Sequence, residues 1–517
     1  MKISSSILLS LAAFVITAAA GRQARPQFDI VETTIPQVHA AMRAKRLTCH
    51  ALVETYFQRI DTYDKRGPAL NGIVVTNADA LKQADDLDRR FARSGLSGPL
   101  HCVPVIVKDN FETIGLQSAN GSLSLKGFIS EKDAFQVKRI KAAGAIVLAK
   151  SNMGEFAFSP LETVNSILGT TKNPYALNRV PAGSSGGTAA SVAASFGLVG
   201  LGSDTGNSIR GPSAHNALVG IRSTMGLTSR AGVIPLSYLS DIAGPMARTV
   251  EDAVAVFQVI VGEDPDDPVT ARSRGHNIPQ YAASLRRDGL KGARIGVLHQ
   301  AYERANLGVD EDVARVFAKA LEDLNGAGAT IIDPAAVDLT AVRRDQNAGT
   351  CRGFKYDINA YLEKQGNRVP VHNLDEIVAS GRFHESVRGR MEQAQRSSPQ
   401  GPESGACKAE ASYREAFAAA VTKTMDDLKL DAFVYPTWSQ PPQLIGQANQ
   451  QTAGDNSQVF SPTAGFPAIN VPMGYTSDGV LPAGLTLLGR AWSEATLIRL
   501  AYAYEQATRH RRPPAMK

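Results

Sequence analysis

The chain has 517 residues, of which 43% are hydrophobic, 20% charged and 6% aromatic, the composition of a globular protein with a large core. A formal charge of +6 is small for that length. The short basic runs Arg89-Arg90 and Arg509-His510-Arg511-Arg512 have no interleaved aromatics, which argues against a nucleic-acid partner.

In chain order, residues 1–20 stand apart. Lys2 precedes the apolar run Ile7 to Thr17, and Ala18-Ala19-Ala20-Gly21 follows, the pattern of a cleaved secretory signal. At about 14 residues the apolar stretch is short for a membrane span. The mature chain is therefore expected to be exported (extracellular, or periplasmic in a bacterium), with no membrane insertion once the signal is removed.

Residues 34–100 read as helix-rich. Thr48 is placed to cap a helix whose apolar face is Leu52, Val53, Tyr56, Phe57 and Ile60. A strand is expected over Leu70–Thr76 and a helix through Leu81, Ala84 and Leu87. The run Val103 to Val107 reads as a buried strand that delivers Lys108 at its end. A helix near Phe135–Ala143, a strand over Ala145–Leu148, a helix of small residues from Thr188 and a strand over Leu198–Leu201 follow. Alternation of this kind predicts the α/β class: one large α/β/α unit with a mixed central sheet covered by helices on both faces. Residues 340–415 read as a polar helical excursion over that sheet, short of core. Apolar strands return at 432–436, 468–472 and 484–488.

Chemistry concentrates in the fifty residues from Gly183 to Gly232, which hold eleven glycines. Glycine at this density marks left-handed or tightly turned backbone, or backbone that something approaches closely. Two serine-bearing turns lie there, Gly183-Ser184-Ser185-Gly186-Gly187 and Asp204-Thr205-Gly206-Asn207-Ser208-Ile209-Arg210. Serines on such turns, beside outward-facing N–H groups, supply a nucleophile and an oxyanion hole. With Lys108 they form a catalytic set that needs no histidine. No Cys-x-x-Cys or His-Cys cluster points to a metal, and no cofactor motif is present.

These motifs resemble the amidase signature family of serine hydrolases. The resemblance continues through Ala464-Gly465-Phe466-Pro467-Ala468-Ile469-Asn470-Val471-Pro472-Met473-Gly474 and Leu481-Pro482-Ala483-Gly484-Leu485. It implies an amidase signature domain over residues 21–517. It also implies Ser208 as nucleophile, Ser184 as a bridging serine after a cis peptide bond, and Lys108 as base. The N–H groups of Thr205, Gly206, Asn207 and Ser208 would form the oxyanion hole. The substrate would be a small-molecule amide, split through an acyl-enzyme into a carboxylate and ammonia or an amine. Two positions depart from the family pattern, Asn207 and Cys102, both usually glycine. Asparagine tolerates left-handed backbone better than most residues, so the turn at 207 is expected to survive. An unperturbed lysine ionises near about 10.4, so the role requires burial to bring Lys108 down to about 7–8.

Other readings rank lower. Ser185 formally sits in a Gly-x-Ser-x-Gly elbow, but no strand precedes it. An ester- or carbamate-preferring hydrolase on the same set, and a non-catalytic binding protein, remain as alternatives; the reading leaves room for a homodimer. Asp204 and Arg210 read as a structural pair bracing the turn, and His101 and His215 as packing residues. Asn120-Gly121-Ser122 is a glycosylation sequon in an exported chain. Four cysteines in an oxidising compartment allow two bridges. Pairing Cys49 with Cys102, and Cys351 with Cys407 in the excursion, keeps each bridge within one region.

Overall fold

The computed structural model describes residues 28–303, 308–447, 454–477 and 479–516, so the signal-like segment 1–20 lies outside the described residues. Eleven strands form one sheet: β1 (Ile73–Thr76), β2 (Pro104–Lys108), β3 (Ile146–Ser151), β4 (Val199–Asp204), β5 (Val219–Arg222), β6 (Ile242–Ala247), β7 (Arg294–Val297), β8 (Thr330–Ile332), β9 (Ala432–Pro436), β10 (Ala468–Thr476) and β11 (Leu481–Leu488). Their order across the sheet is β1-β3-β2-β4-β6-β5-β10-β11-β9-β7-β8. β2 runs parallel to both β3 and β4, and β7 runs parallel to β8 and β9. The remaining pairs are antiparallel, so the sheet is mixed as expected.

Strands β2, β3 and β4 are buried at every position, which is why they read as continuous apolar runs rather than alternating ones. The helix Gly186–Ala193 is buried throughout and needs its small residues to press onto the sheet. A Cβ on Gly200 of β4 would lie 2.4 Å from Thr188 Cγ2 of that helix. Near the amino end, Thr48 caps the helix Cys49–Ile60 as expected, its hydroxyl accepting the Ala51 N–H at 3.1 Å. No helix among the described residues is long and apolar enough to cross a membrane.

The excursion differs from its expected character. It holds helices Phe354–Gln365, Leu374–Ser380, Glu385–Arg396 and Gly405–Asp427, the last running past residue 415. It is not short of core. Ile358, Leu362, Leu374, Ile377 and Met391 pack with Phe128, Phe156 and Phe158 in a cluster separate from the main core. Phe417, Val421 and Met425 of the long helix join the main core instead. The apolar partners come from residues 119–158 and from Ile234, far away in sequence, so local composition understated the burial.

Both disulfides form as paired in sequence, Cys49–Cys102 and Cys351–Cys407, with Cα separations of 5.6 and 4.6 Å. Cys102 has φ +59°, the left-handed region that glycine favours. The glycine usual in that position is therefore explained by backbone geometry, which the cysteine here adopts.

Candidate active site

Strand β2 carries Lys108 to the carboxyl end of the sheet and buries its side chain completely. Lys108 Nζ lies 2.7 Å from Ser184 Oγ, 2.8 Å from Ser203 Oγ and 3.4 Å from Ser203 O. Burial pulls the ammonium down to about 7, against the opposing pull of the Asp241 and Asp204 carboxylates. Asn110, two residues on, donates to Ser203 Oγ at 3.0 Å and so orients the second hydroxyl beside the amine. Lys150 on β3 is also buried and also lowered by burial, to about 8. Its amine instead donates to Phe111 O, Gln117 O and Ser118 Oγ, bracing the loop that follows Lys108.

Ser184 follows a cis Gly183–Ser184 peptide bond. The glycines around it meet the second of the two sequence expectations, close approach: none of Gly183, Gly186 and Gly187 has a left-handed φ. A Cβ on Gly183 would lie 2.3 Å from Glu162 O, and one on Gly187 2.2 Å from Asn152 O. Ser185 is buried with its hydroxyl donated to Ser203 O at 3.2 Å, and no strand precedes it. That geometry is not a nucleophile elbow.

The second turn, residues 204–210, is built around Asp204. Its carboxylate accepts the N–H groups of Ile209 and Arg210 at 3.2 and 3.4 Å, Arg210 Nε at 3.1 Å and Arg222 Nη1 at 3.0 Å. Burial alone would raise this carboxyl; the two arginines outweigh it and hold it at about 2. Arg210 Nη2 also donates to Gly206 O at 2.6 Å, so the pair braces the turn as the sequence suggested. Neither Gly206 nor Asn207 has positive φ. The asparagine is therefore accepted without left-handed backbone, a correction to the reason expected for it. A side chain on Gly206 would instead strike Gln458 Oε1, at 2.0 Å from an added Cβ.

Among the described residues, the N–H groups of Thr205, Gly206, Asn207 and Ser208 find no acceptor. All four residues line a cavity of about 680 Å³. Ser208 is 5% exposed and donates to Asn207 Oδ1 at 3.3 Å. Ala157 and Phe158 line the same cavity, on a segment tied to Ser184 through the Gly154 N–H, which donates to Ser184 O at 3.0 Å.

Three other residues singled out in the sequence lie outside this constellation. Asn120 is 1% exposed, which leaves no room for a glycan on it in this fold. His215 is buried and stacks on Trp438 at 4.6 Å, and His101 packs against Phe91 at 5.6 Å, both as packing residues. Sequence reasoning missed Asn110, Ser203, Arg222 and Asp241. Ser203 was the most accessible of these, since it adjoins Asp204 within the same motif.

The sequence profile of the Amidase family matches residues 51–498. The chain belongs to the amidase signature family. It is 34% identical to a probable amidase of Arabidopsis thaliana, over 98% of this chain and 97% of the relative. It is 33% identical to a glutamyl-tRNA(Gln) amidotransferase chain of Carboxydothermus hydrogenoformans, over 91% of this chain and 96% of that one. Among solved structures it is similar to native peptide amidase from Stenotrophomonas maltophilia, with a TM-score of 0.84 at 34% identity, covering 94% of this chain and 99% of that one. This amidase is accordingly an amide-hydrolysing enzyme with the α/β fold of its family.

Proposed function

We propose that this amidase cleaves carboxylic amides through a Lys108–Ser184–Ser208 relay and an acyl-enzyme. The observation that carries the reading is the 2.7 Å approach of Ser184 Oγ to a buried lysine amine held near 7. A neutral amine takes the Ser184 proton while Ser184 takes that of Ser208. Ser208 Oγ then bonds to the amide carbon, and the carbonyl oxygen becomes an oxyanion facing the N–H groups of residues 205–208. A donor so placed is typically worth about 2.7–4 kcal/mol in the transition state. The relay in reverse delivers a proton to the amide nitrogen, the C–N bond breaks, and the amine or ammonia leaves. Water then hydrolyses the ester to a free carboxylate.

Ser208→Ala tests this directly. The expected result is loss of amide hydrolysis and of labelling by a serine-directed fluorophosphonate, with thermal unfolding unchanged. Amidase activity within about tenfold of the parent enzyme would remove Ser208 from the role.

The reading includes export, which rests on residues 1–21. Amino-terminal sequencing of the protein recovered outside the cytoplasm tests it, with a start near residue 21 as the expected result. Hydrolysis by the purified single chain would distinguish a free-standing amidase from one component of an amidotransferase.

A further inference from the structure

We infer that the amides taken by this enzyme carry a carboxylate remote from the scissile bond, held by Arg390 and Arg414. The inference rests on the Ser208 turn being the reacting end of the cavity.

At about 680 Å³ the cavity has the volume of a site for a sizeable ligand and exceeds what a simple aliphatic amide fills. Arg414 lines it from the helix Gly405–Asp427. Its Nη1 donates to Ser240 Oγ at 3.2 Å and its Nη2 to Leu239 O at 3.1 Å and to Pro462 O. Residues 239 and 240 directly precede Asp241, which holds Thr205 of the serine turn, so this guanidinium is fixed to the loop that supports the reacting end. Arg390, an exposed residue, lines the same cavity from the helix Glu385–Arg396. It donates to Phe158 O and lies 5.9 Å from the Phe158 ring centroid. Every one of these acceptors is neutral.

A guanidinium has five N–H donors, and these contacts leave donors free on both arginines. Neither forms an ion pair with a described carboxylate. The third arginine of the lining, Arg344, is already paired with Glu410 and lies 3.9 Å from the Tyr413 ring centroid. Three guanidinium groups thus face two carboxylates, Glu410 and Asp455, in the described lining. The surplus is one positive charge, which matches a carboxylate rather than a dianionic phosphate monoester. The Cys351–Cys407 bridge anchors the start of the Arg414 helix to the segment before residue 354, so this wall is presented as a fixed surface.

The test compares kcat/KM for dicarboxylic acid mono-p-nitroanilides of rising length with neutral acyl p-nitroanilides of matched length. A second pair, N-acyl ω-amino acids of rising length against matched N-acyl alkylamines, places the carboxylate on the amine side. The expected result is a preference of about tenfold for the acid in one of the two series, the size of a guanidinium–carboxylate pair at the half-buried Arg414 with a smaller contribution from the exposed Arg390 on the same lining. Added salt should shrink that ratio. Arg414→Gln should reduce it to about a fifth or less, and Arg390→Gln should reduce it by a smaller factor. Arg414 also makes structural hydrogen bonds, so Arg390→Gln decides the matter if the Arg414 variant fails to fold. Neutral amides cleaved with no acid preference, or a preference unchanged in Arg390→Gln, would overturn this inference and leave the relay standing. An enzyme inert to all amides that still binds the acidic anilides more tightly in calorimetry would support the inference and overturn the relay.

Discussion

Asp241 Oδ1 accepts the Thr205 hydroxyl at 2.6 Å, while its Oδ2 accepts the N–H groups of Leu236 and Ser237, each at 2.9 Å. One carboxylate thereby ties Thr205 of the serine turn to the loop that walls the cavity. Burial raises the Asp241 carboxyl, and these three hydrogen bonds oppose the rise. Thr205→Val deletes one donor and leaves a buried acceptor short of a partner, a loss of about 1–3 kcal/mol. The turn loses its tether as well, so kcat should fall more than KM rises. Urea unfolding and Michaelis kinetics on one amide check both parts. A kcat equal to that of the parent enzyme would show that the tether does not position the turn.

In the proposed relay the neutral Lys108 amine is the active form, so kcat/KM should rise with pH through a single ionisation near about 7. Lys108→Ala should hurt amides more than esters, since an alkoxide departs with less help from a proton than an amine does. A profile flat between pH 6 and 9 would contradict the assignment.

The same lysine costs stability. Its folded value lies below its unfolded one, so between about 7 and 10.5 the unfolded chain holds the extra proton and stability increases with pH. Lys108→Met should therefore be inactive yet more stable near neutrality, by at most about 4 kcal/mol, less what the hydroxyls of Ser184 and Ser203 lose as partners. Denaturant melts at several pH values measure this; a variant less stable than the parent at every pH would refute it.

Asp204 behaves in the opposite sense. Its folded carboxyl is held at about 2, so its contribution is complete above the unfolded value of 3.8 and disappears as pH falls toward 2. Asp204→Asn leaves Arg210 and Arg222 buried with their shared counter-ion gone, a loss of about 3–5 kcal/mol. The readout is the urea midpoint at neutral pH, with loss of amide hydrolysis as the serine turn loosens.

Reducing agents should act on the cavity wall. The Cys351–Cys407 bridge closes a loop of 56 residues, worth roughly 4 kcal/mol in the chain-entropy account. The double variant Cys351→Ser, Cys407→Ser should lower the unfolding temperature and raise KM, because the bridge adjoins the helix bearing Glu410 and Arg414. Peptide mapping without reduction should recover the 49–102 and 351–407 pairs; any other pairing would contradict the arrangement.

Much of this enzyme was legible along the chain because its signals are local. The apolar run ending at Lys108, the two serine turns and the strand–helix alternation each declare themselves within a dozen residues. Both cysteine pairs also followed from keeping each bridge inside one region. What the tertiary structure alone decided depends on strands that meet across long separations. β6 inserts antiparallel between β4 and β5, and this brings Arg222 to Asp204 and Asp241 to Thr205, contacts that no periodicity encodes. The glycines show the same division. Their density announced unusual backbone, but whether each served a left-handed turn or a close approach depended on what packed against it, such as Glu162 O at Gly183 and Asn152 O at Gly187. Side-chain pattern reports which face of an element is buried; the identity of the neighbour on that face is a property of the folded sheet.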